Sequence, residues 1–303
     1  MLQRYECGSS FSTGNETYFF SHFFSPSELR LDGMLQCDTD ALVLWQFLGM
    51  KFIISIVTRL VPRSYLHHVS HFFLQILGLF YRGNRVEDPI SGHTFKSFLP
   101  YGRMVSRPNA LSPATLSLER HRLMWLYLQR ETPFFSAPHK VLHIAPEYCF
   151  LKRFKSMKNL DYTTGDLLSP WADIKMDINA MPFEDNSFDV VFCNHVLEHI
   201  PDDVHAMREI YRVMKPGAWA ILQVPMNPDA ELTDEDVSIT DPRERERRFL
   251  QADHFRLYGK DYAQRLQLAG FQVEVNDLVR RLSPEERARF ALPEAEMLYI
   301  ARK

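Results

Sequence analysis

The alternation of hydrophobic and polar positions in the second half of the chain predicts buried strands joined by amphipathic helices. Residues 188–192 form a short, mostly apolar run with two valines, which is typical of a strand buried on both faces of a parallel sheet. The helix predicted next begins at residues 201–203, and Pro216-Gly217 ends it before another buried strand at residues 219–224. The apolar side chains of this helix recur at three- and four-residue steps, at Val204, Met207, Tyr211 and Met214. Such a strand–helix–strand unit closes right-handed in a parallel sheet.

Polar side chains follow two of the predicted strands. Asn194 and His195 come directly after residues 188–192, and Asp166 ends an earlier predicted strand at residues 161–166. Ligands of open parallel sheets bind beyond the carboxyl ends of the strands, so these side chains are candidates for one site. A carboxylate there can accept hydrogen bonds from both hydroxyls of a ribose. The alternative for Asp166, and for Asp177 after the next short strand, is a role in a turn or a cap.

Four short segments carry a resemblance to a known family. They are Met181-Pro182-Phe183, residues 185–191, Val196-Leu197-Glu198-His199 and residues 209–217. In this order and spacing they resemble the class I S-adenosylmethionine-dependent methyltransferases, in particular the type 11-like subgroup that methylates small molecules. The resemblance is dense between residues 140 and 225 and thinner from residue 253 onward. It implies a doubly wound, Rossmann-like α/β sheet of seven strands, the seventh antiparallel, here with a helical N-terminal extension.

The same resemblance implies S-adenosylmethionine as the cofactor. The family has an acid and three glycines around its first strand, and this chain has His143, Ala145, Glu147 and Cys149 there. Ala145 is small enough for a close backbone approach, and Glu147 is expected to pair with the ammonium group of the cofactor. Loss of the glycines argues against a dinucleotide or phosphate site. By resemblance, Asp177 reads the adenine amino group and Ile178 lies beside the ring. The predicted cofactor residues are His143, Ala145, Glu147, Asp166, Asp177, Ile178 and Asn194.

Methyl transfer from a sulfonium is an in-line displacement, so most of the catalysis is alignment and desolvation. An oxygen or nitrogen nucleophile also needs a base with a pKa near neutral, which points to histidine. His195 and His254 are the predicted catalytic residues, and His199 is predicted to be structural.

Residues 225–258 form a long polar excursion, which we interpret as a mobile lid over the acceptor. Arg256 and Tyr258 are predicted to contact the acceptor, a small molecule such as a glycan or lipid precursor. The competing hypothesis is a methyltransferase-like domain that has lost turnover and acts as a binding or scaffold module.

The net charge and the cysteine spacing argue against some classes of partner and site. The formal net charge is −3 and the pI is near 6.5, so no basic excess argues for a nucleic-acid partner. The four cysteines show no C-x-x-C spacing, so neither a metal knuckle nor a disulfide framework is indicated. We therefore predict a cytoplasmic enzyme with no metal site.

Residues 1–85 are predicted to be a partly helical N-terminal extension. From Ala41 to Val86 there is no acidic residue, and residues 65–81 have an amphipathic helical pattern. Two interpretations stay open: peripheral contact of residues 41–85 with an anionic membrane, or a helix packed on the catalytic domain. The second is favoured, because amphipathic helices usually face a protein core.

Residues 86–116 resemble a degenerate zinc ribbon, and residues 117–303 are the predicted methyltransferase domain. The ribbon's four cysteine positions are taken by Asp88, Ser91, Ser112 and Thr115, whose oxygens do not replace thiolates on Zn²⁺. Ser117 is predicted to cap a helix that ends at Arg130.

Overall fold

The computed structural model describes residues 78–102 and 106–303. The described part begins with two short antiparallel strand pairs. Strand β1 (Arg82–Glu87) pairs with β2 (Thr94–Phe95), and β3 (Leu99–Tyr101) pairs with β4 (Arg107–Leu111). Residues 1–77 lie outside the described residues. They include most of the predicted N-terminal extension and most of the amphipathic pattern of residues 65–81.

Asp88 connects the first strand pair to the loop after the second. Its carboxylate is fully buried and accepts hydrogen bonds from Ser112 Oγ at 2.6 Å, from Thr115 Oγ1 and from the Ile90 amide. Three of the four predicted ribbon positions therefore meet through hydrogen bonds, whereas the Ser91 hydroxyl accepts from the His93 amide. The relationship to a zinc ribbon stays a prediction.

Replacing Asp88 with alanine is expected to lower the free energy of unfolding by about 2 kcal/mol, because two hydroxyls and an amide lose their buried acceptor. Urea unfolding followed by circular dichroism measures the change. The matched control is Glu87→Ala, which removes a half-exposed ion pair with Arg289 and should cost less than about 1 kcal/mol. Equal effects of the two substitutions would show that Asp88 does not hold this segment together.

The remaining described residues build an α/β domain. Its strands are β5 (His139–Ile144), β6 (Leu160–Asp166), β7 (Ile174–Lys175), β8 (Phe188–Asn194), β9 (Met214–Gln223), β10 (Asp234–Glu235), β11 (Arg256–Leu257), β12 (Gln272–Asn276) and β13 (Leu298–Arg302). Its helices are α1 (Glu119–Arg130), α2 (Tyr148–Ser156), α3 (Asp203–Val213), α4 (Pro242–Phe249), α5 (Tyr262–Leu268), α6 (Leu278–Arg281) and α7 (Pro284–Arg289), with a 3-10 turn at Leu197–His199.

Seven of these strands form one sheet in the order β12-β13-β9-β8-β5-β6-β7. Strands β5 to β9 are parallel, and β13 runs antiparallel to both of its neighbours, β9 and β12. The predicted Rossmann-like sheet with an antiparallel seventh strand is confirmed. No helix lies between β6 and β7, which only residues 167–173 separate.

Both faces of the sheet are buried, which explains the continuous apolar runs of its central strands. Val190 and Phe192 of β8 pack in the core on one face, and Val191 and Cys193 pack in the core on the other. Successive side chains of a strand point to opposite faces, so an apolar residue is required at every one of these positions.

Two element boundaries differ from the prediction. Helix α3 begins as predicted, with the Asp202 side chain accepting from the His205 amide, but it ends at Val213 and β9 starts at Met214. Strand β9 begins this early because Met214 pairs with Phe188 of β8. Helix α1 begins after Leu118, so the cap predicted at Ser117 is wrong.

The cap of α1 comes from a histidine. The Leu118 amide donates to Nδ1 of His121 at 3.1 Å, in place of a bond to a Ser117 hydroxyl.

None of the helices formed by the described residues is both long enough and apolar enough to span a bilayer.

Candidate functional site

The candidate site lies at the carboxyl ends of β5, β6, β7 and β8. These strands are parallel neighbours, so their carboxyl ends share one edge of the sheet. The residues at or just beyond these ends are Ala145, Asp166, Asp177, Asn194 and His195. The fold thus brings together predicted residues that are far apart in the sequence.

Two turns at this edge have an unusual backbone. Ala145 has φ 49° and His195 has φ 54°, in the left-handed region that favours glycine. The Ala145 amide donates to Gly165 and the His195 amide donates to Gln223, so each turn is fixed by a neighbouring strand. Strained backbone of this kind is found at functional sites, where the surrounding structure maintains it. Ala145 therefore has the conformation that a family glycine would adopt.

A cluster of polar side chains surrounds the carboxylate of Glu147, just before α2. Nε2 of His143 hydrogen-bonds one carboxylate oxygen, and Nδ2 of Asn194 donates to the other at 2.9 Å. Nδ1 of His143 hydrogen-bonds the Tyr162 hydroxyl at 2.7 Å, and Nε2 of His121 lies 3.7 Å from Oε1 of Glu147. Three of the predicted cofactor residues, His143, Glu147 and Asn194, thus form one network, and His143 is fully buried within it.

The histidines keep Glu147 ionised. Burial by itself raises the pKa of this carboxyl, but the charge and hydrogen bond of His143, together with His121, lower it to about 2. Burial also lowers the pKa of His121 well below its usual value. At neutral pH the site therefore contains a fixed negative charge at the tips of β5 and β8.

The depressed pKa predicts acid sensitivity. The folded-state pKa of Glu147 lies below its unfolded value, so its contribution to stability is present above about pH 4.5 and is lost as pH falls toward about 2. Unfolding free energies measured by urea titration at several pH values should fall in this window, and less steeply for Glu147→Gln. An unchanged slope in that variant would contradict the assignment. The exposed Glu184→Gln is the control.

The remaining predicted cofactor residues occupy different environments. Oδ1 of Asp166 accepts from the amides of Leu168 and Ser169, and these bonds do not involve Oδ2. Asp177 is exposed, and its Oδ1 accepts from Asn179, whereas Ile178 is buried in the core. The turn role considered for both aspartates is therefore present, together with their position at the strand tips.

His195 has a carboxylate partner that the sequence interpretation missed. Nδ1 of His195 lies 3.3 Å from Oε1 of Glu198, which is fully buried. Burial and then the nearby Arg120 lower the pKa of His195, so its imidazole is neutral at neutral pH. Burial raises the pKa of Glu198, but His195, His199 and His254 lower it to about 2. The sequence signals for Glu198 are its place in the segment Val196-Leu197-Glu198-His199, which carries part of the family resemblance, and its position between the apolar residues Leu197 and Ile200.

Three predicted site residues are buried inside the domain. His254 is 1% exposed, with Nδ1 hydrogen-bonded to the Phe249 carbonyl. Tyr258 is fully buried and donates from its hydroxyl to Asp203 at 2.8 Å. Arg256 is 1% exposed and donates to backbone carbonyls of the 3-10 turn. The expectation that these side chains face an open acceptor pocket is therefore wrong, because their polar groups contact the protein interior.

The segment interpreted as a mobile lid is bonded to the rest of the domain. It contains β10, α4 and β11, and β10 pairs with β11. The Phe255 amide donates to the Glu198 carbonyl, and the Asn227 amide donates to the Tyr258 carbonyl. The end of residues 225–258 is thus hydrogen-bonded to the 3-10 turn that follows β8.

Comparison with known proteins agrees with this arrangement. A family model described as a methyltransferase domain matches residues 148–222. Demethylmenaquinone methyltransferase of Lactiplantibacillus plantarum is 46% identical over 56 residues, which cover 18% of this chain and 24% of that protein. Cycloartenol-C-24-methyltransferase 1 of Oryza sativa subsp. japonica is 50% identical over 44 residues, covering 14% and 13%. The chain therefore spans a quarter or less of the length of these two relatives.

Among solved structures, an S-adenosylmethionine-dependent methyltransferase from Mesorhizobium loti aligns with a TM-score of 0.42 at 15% identity, covering 59% of this chain and 97% of that one. The similarity to the methyltransferase domain model is thus confined to residues 148–222, which run from α2 to β9 of the seven-stranded sheet.

Proposed function

We propose that this protein transfers a methyl group from S-adenosylmethionine to a small-molecule acceptor. The observation that carries the proposal is the convergence of Asp166, Asp177, Asn194 and the ionised Glu147 at the strand tips of a domain whose residues 148–222 match the methyltransferase family. A nucleoside with a cationic amino-acid end needs this combination of acceptors and negative charge.

The atoms at the strand tips fit such a cofactor. Oδ1 of Asn194 is buried, and no described residue donates to it, so it is an acceptor that a bound group can satisfy. With the neighbouring Glu147 carboxylate, it suits the ammonium group. Oδ2 of Asp166 is not used by the turn, so it suits a ribose hydroxyl. Asp177 lies at the tip of the next strand, where it can accept from the adenine amino group.

The bound cofactor supplies an electrophilic methyl group on sulfur. The residues of this chain align the acceptor and accept its proton. Glu198 lies beside Nδ1 of His195, so Nδ1 is expected to carry the proton and Nε2 to be the base. The strained turn at His195 fixes where the ring is presented. We therefore propose an acceptor with a hydroxyl or amino group, because either nucleophile needs such a base.

Binding of the cofactor is the first test. Calorimetry should detect S-adenosylmethionine and its demethylated product, S-adenosylhomocysteine. Asp166→Ala should weaken binding by about 1–3 kcal/mol, or roughly 5- to 150-fold, because ribose hydroxyls lose their acceptor. Asp166→Asn keeps a side-chain oxygen for the turn. Its affinity therefore shows the effect of removing the charge without disrupting the loop.

The matched control is Asp161→Ala, which removes an exposed acid at the opposite end of the same strand and should leave affinity unchanged. No binding of either compound at millimolar concentration would contradict methyl transfer. The scaffold hypothesis would then become the better one. The acceptor, the cellular location and membrane contact through residues 41–85 stay predictions.

A further inference from the structure

Three side chains next to the candidate site converge around a buried carboxylate that accepts no well-aligned hydrogen bond from the described residues. Glu198 and His199 are adjacent on the 3-10 turn, and His254 comes from the segment before β11. One potential ligand atom from each lies within 4.8 Å of the other two. We call these three residues the Glu198 cluster.

Glu198 is the least explained residue of this cluster. Its side chain is fully buried, and neither carboxylate oxygen accepts a hydrogen bond from any described residue. Nδ1 of His195 lies 3.3 Å from Oε1, so Oε2 is the oxygen that no described residue contacts through a hydrogen bond or an ion pair with this histidine. A buried carboxylate with an unsatisfied oxygen is costly unless a cation or a donor meets it.

The two histidines are oriented as metal ligands usually are. Nδ1 of His254 is 2.9 Å from the Phe249 carbonyl, so it carries the proton, and the buried Nε2 keeps a lone pair that no described group uses. Nδ1 of His199 lies 3.2 Å from a carboxylate oxygen of Asp253. Hydrogen bonds from one ring nitrogen to a carbonyl or carboxylate orient the other nitrogen toward a metal.

We propose that Glu198, His199 and His254 bind one divalent transition-metal ion of the Zn²⁺ class. Two imidazoles and a carboxylate are a known ligand set for zinc and other transition metals, whereas Mg²⁺ and Ca²⁺ prefer oxygen ligands alone. Three protein ligands leave a coordination position for water or an oxygen of a bound molecule. The His199 side chain is 24% exposed, so solvent reaches at least one of the three proposed ligands.

This proposal goes beyond methyl transfer and differs from the expectation of no metal site. That expectation considered only cysteine spacing, and the ligands here are a Glu-His pair and a histidine more than fifty positions later. The sequence gives no sign that the two segments meet. The hydrogen bond from the Phe255 amide to the Glu198 carbonyl joins them in the fold.

Zinc titration of the full chain tests the proposal directly. Protein stripped with a chelator and dialysed is titrated with Zn²⁺ against a chromophoric competitor, and about one ion per chain should bind. His199→Gln and His254→Gln should each weaken binding at least about 10- to 100-fold. His205→Gln is the matched control, because the ring of this exposed histidine of α3 hydrogen-bonds the Asn179 carbonyl and is not part of the Glu198 cluster. The zinc affinity of this variant should match the wild type.

Circular dichroism verifies that each variant is folded. If the buried His254 variant does not fold, the partly exposed His199 variant decides the question. Absence of zinc binding at micromolar concentration would overturn the proposal, as would unchanged affinity in folded His199→Gln. Displacement of the zinc by millimolar Mg²⁺ would also overturn it. Calorimetry with S-adenosylmethionine is a separate measurement, so failure of the metal site and failure of the proposed activity are distinguishable.

Discussion

Replacing Arg256 with alanine is expected to lower the free energy of unfolding by about 3–5 kcal/mol, the usual range when one partner of a buried charge network is removed. Its guanidinium is 1% exposed and donates to the carbonyls of Leu197, Ile200 and Pro201. Its Nε donates to Glu235 at 3.1 Å. The substitution removes the Arg256 donor from three carbonyls at the end of the 3-10 turn, of which only that of Leu197 keeps a second donor, the Ile200 amide, among the described residues. It also removes positive charge beside buried Asp203.

Guanidinium chloride unfolding, followed by circular dichroism, measures this loss. The matched control is Arg247→Ala on α4, which removes an exposed ion pair with Glu244 and should cost less than about 1 kcal/mol. A loss below about 1 kcal/mol in Arg256→Ala would show that the 3-10 turn does not depend on this side chain.

His195→Asn is expected to reduce turnover on the order of 10²-fold, the usual cost of losing a general base. Asparagine is chosen because His195 has φ 54°, a backbone conformation that asparagine tolerates better than alanine. S-adenosylmethionine affinity should stay the same, because Asp166, Asn194 and Glu147 are intact. Formation of S-adenosylhomocysteine in the presence of candidate acceptors with a hydroxyl or amino group gives the rate, and calorimetry gives the affinity.

The control is His93→Asn, at an exposed histidine between β1 and β2, and it should leave turnover and cofactor affinity unchanged. If His195→Asn instead abolishes cofactor binding while turnover per bound cofactor is preserved, His195 positions the cofactor and is not the base. A fall in kcat at constant cofactor affinity is the result that a structural role would not produce.

The fold could be predicted from the sequence because burial on two faces leaves a periodic signature. Residues 190–193 are apolar because both faces of β8 are buried, and Asp202 marks the start of the following helix, which ends at Val213, three residues before Pro216. The position of Asn194 follows from the same pattern, since a strand end in a parallel sheet defines one edge. These features depend on the pattern of residues that are close together in the sequence, and a single sequence shows that pattern.

The environment of a polar side chain could not be predicted in this way. Arginine and glutamate usually lie at the surface, yet Arg256 and Glu198 are both buried because distant segments meet at the 3-10 turn. Likewise, the left-handed backbone of Ala145 could not be predicted, because a glycine is the residue that usually indicates such a conformation. Long-range packing determines these environments, and one sequence carries no direct record of it.

The position of β13 determines when the sheet can be completed during synthesis. This strand comes last in the chain order of the sheet, but it lies inside the sheet, between β9 and β12. Until it has left the ribosome, β9 is an open edge, with unpaired backbone groups beside an apolar surface. Incomplete chains therefore expose a pairing edge that other strands can occupy. The nascent protein depends on its last strand for protection against aggregation.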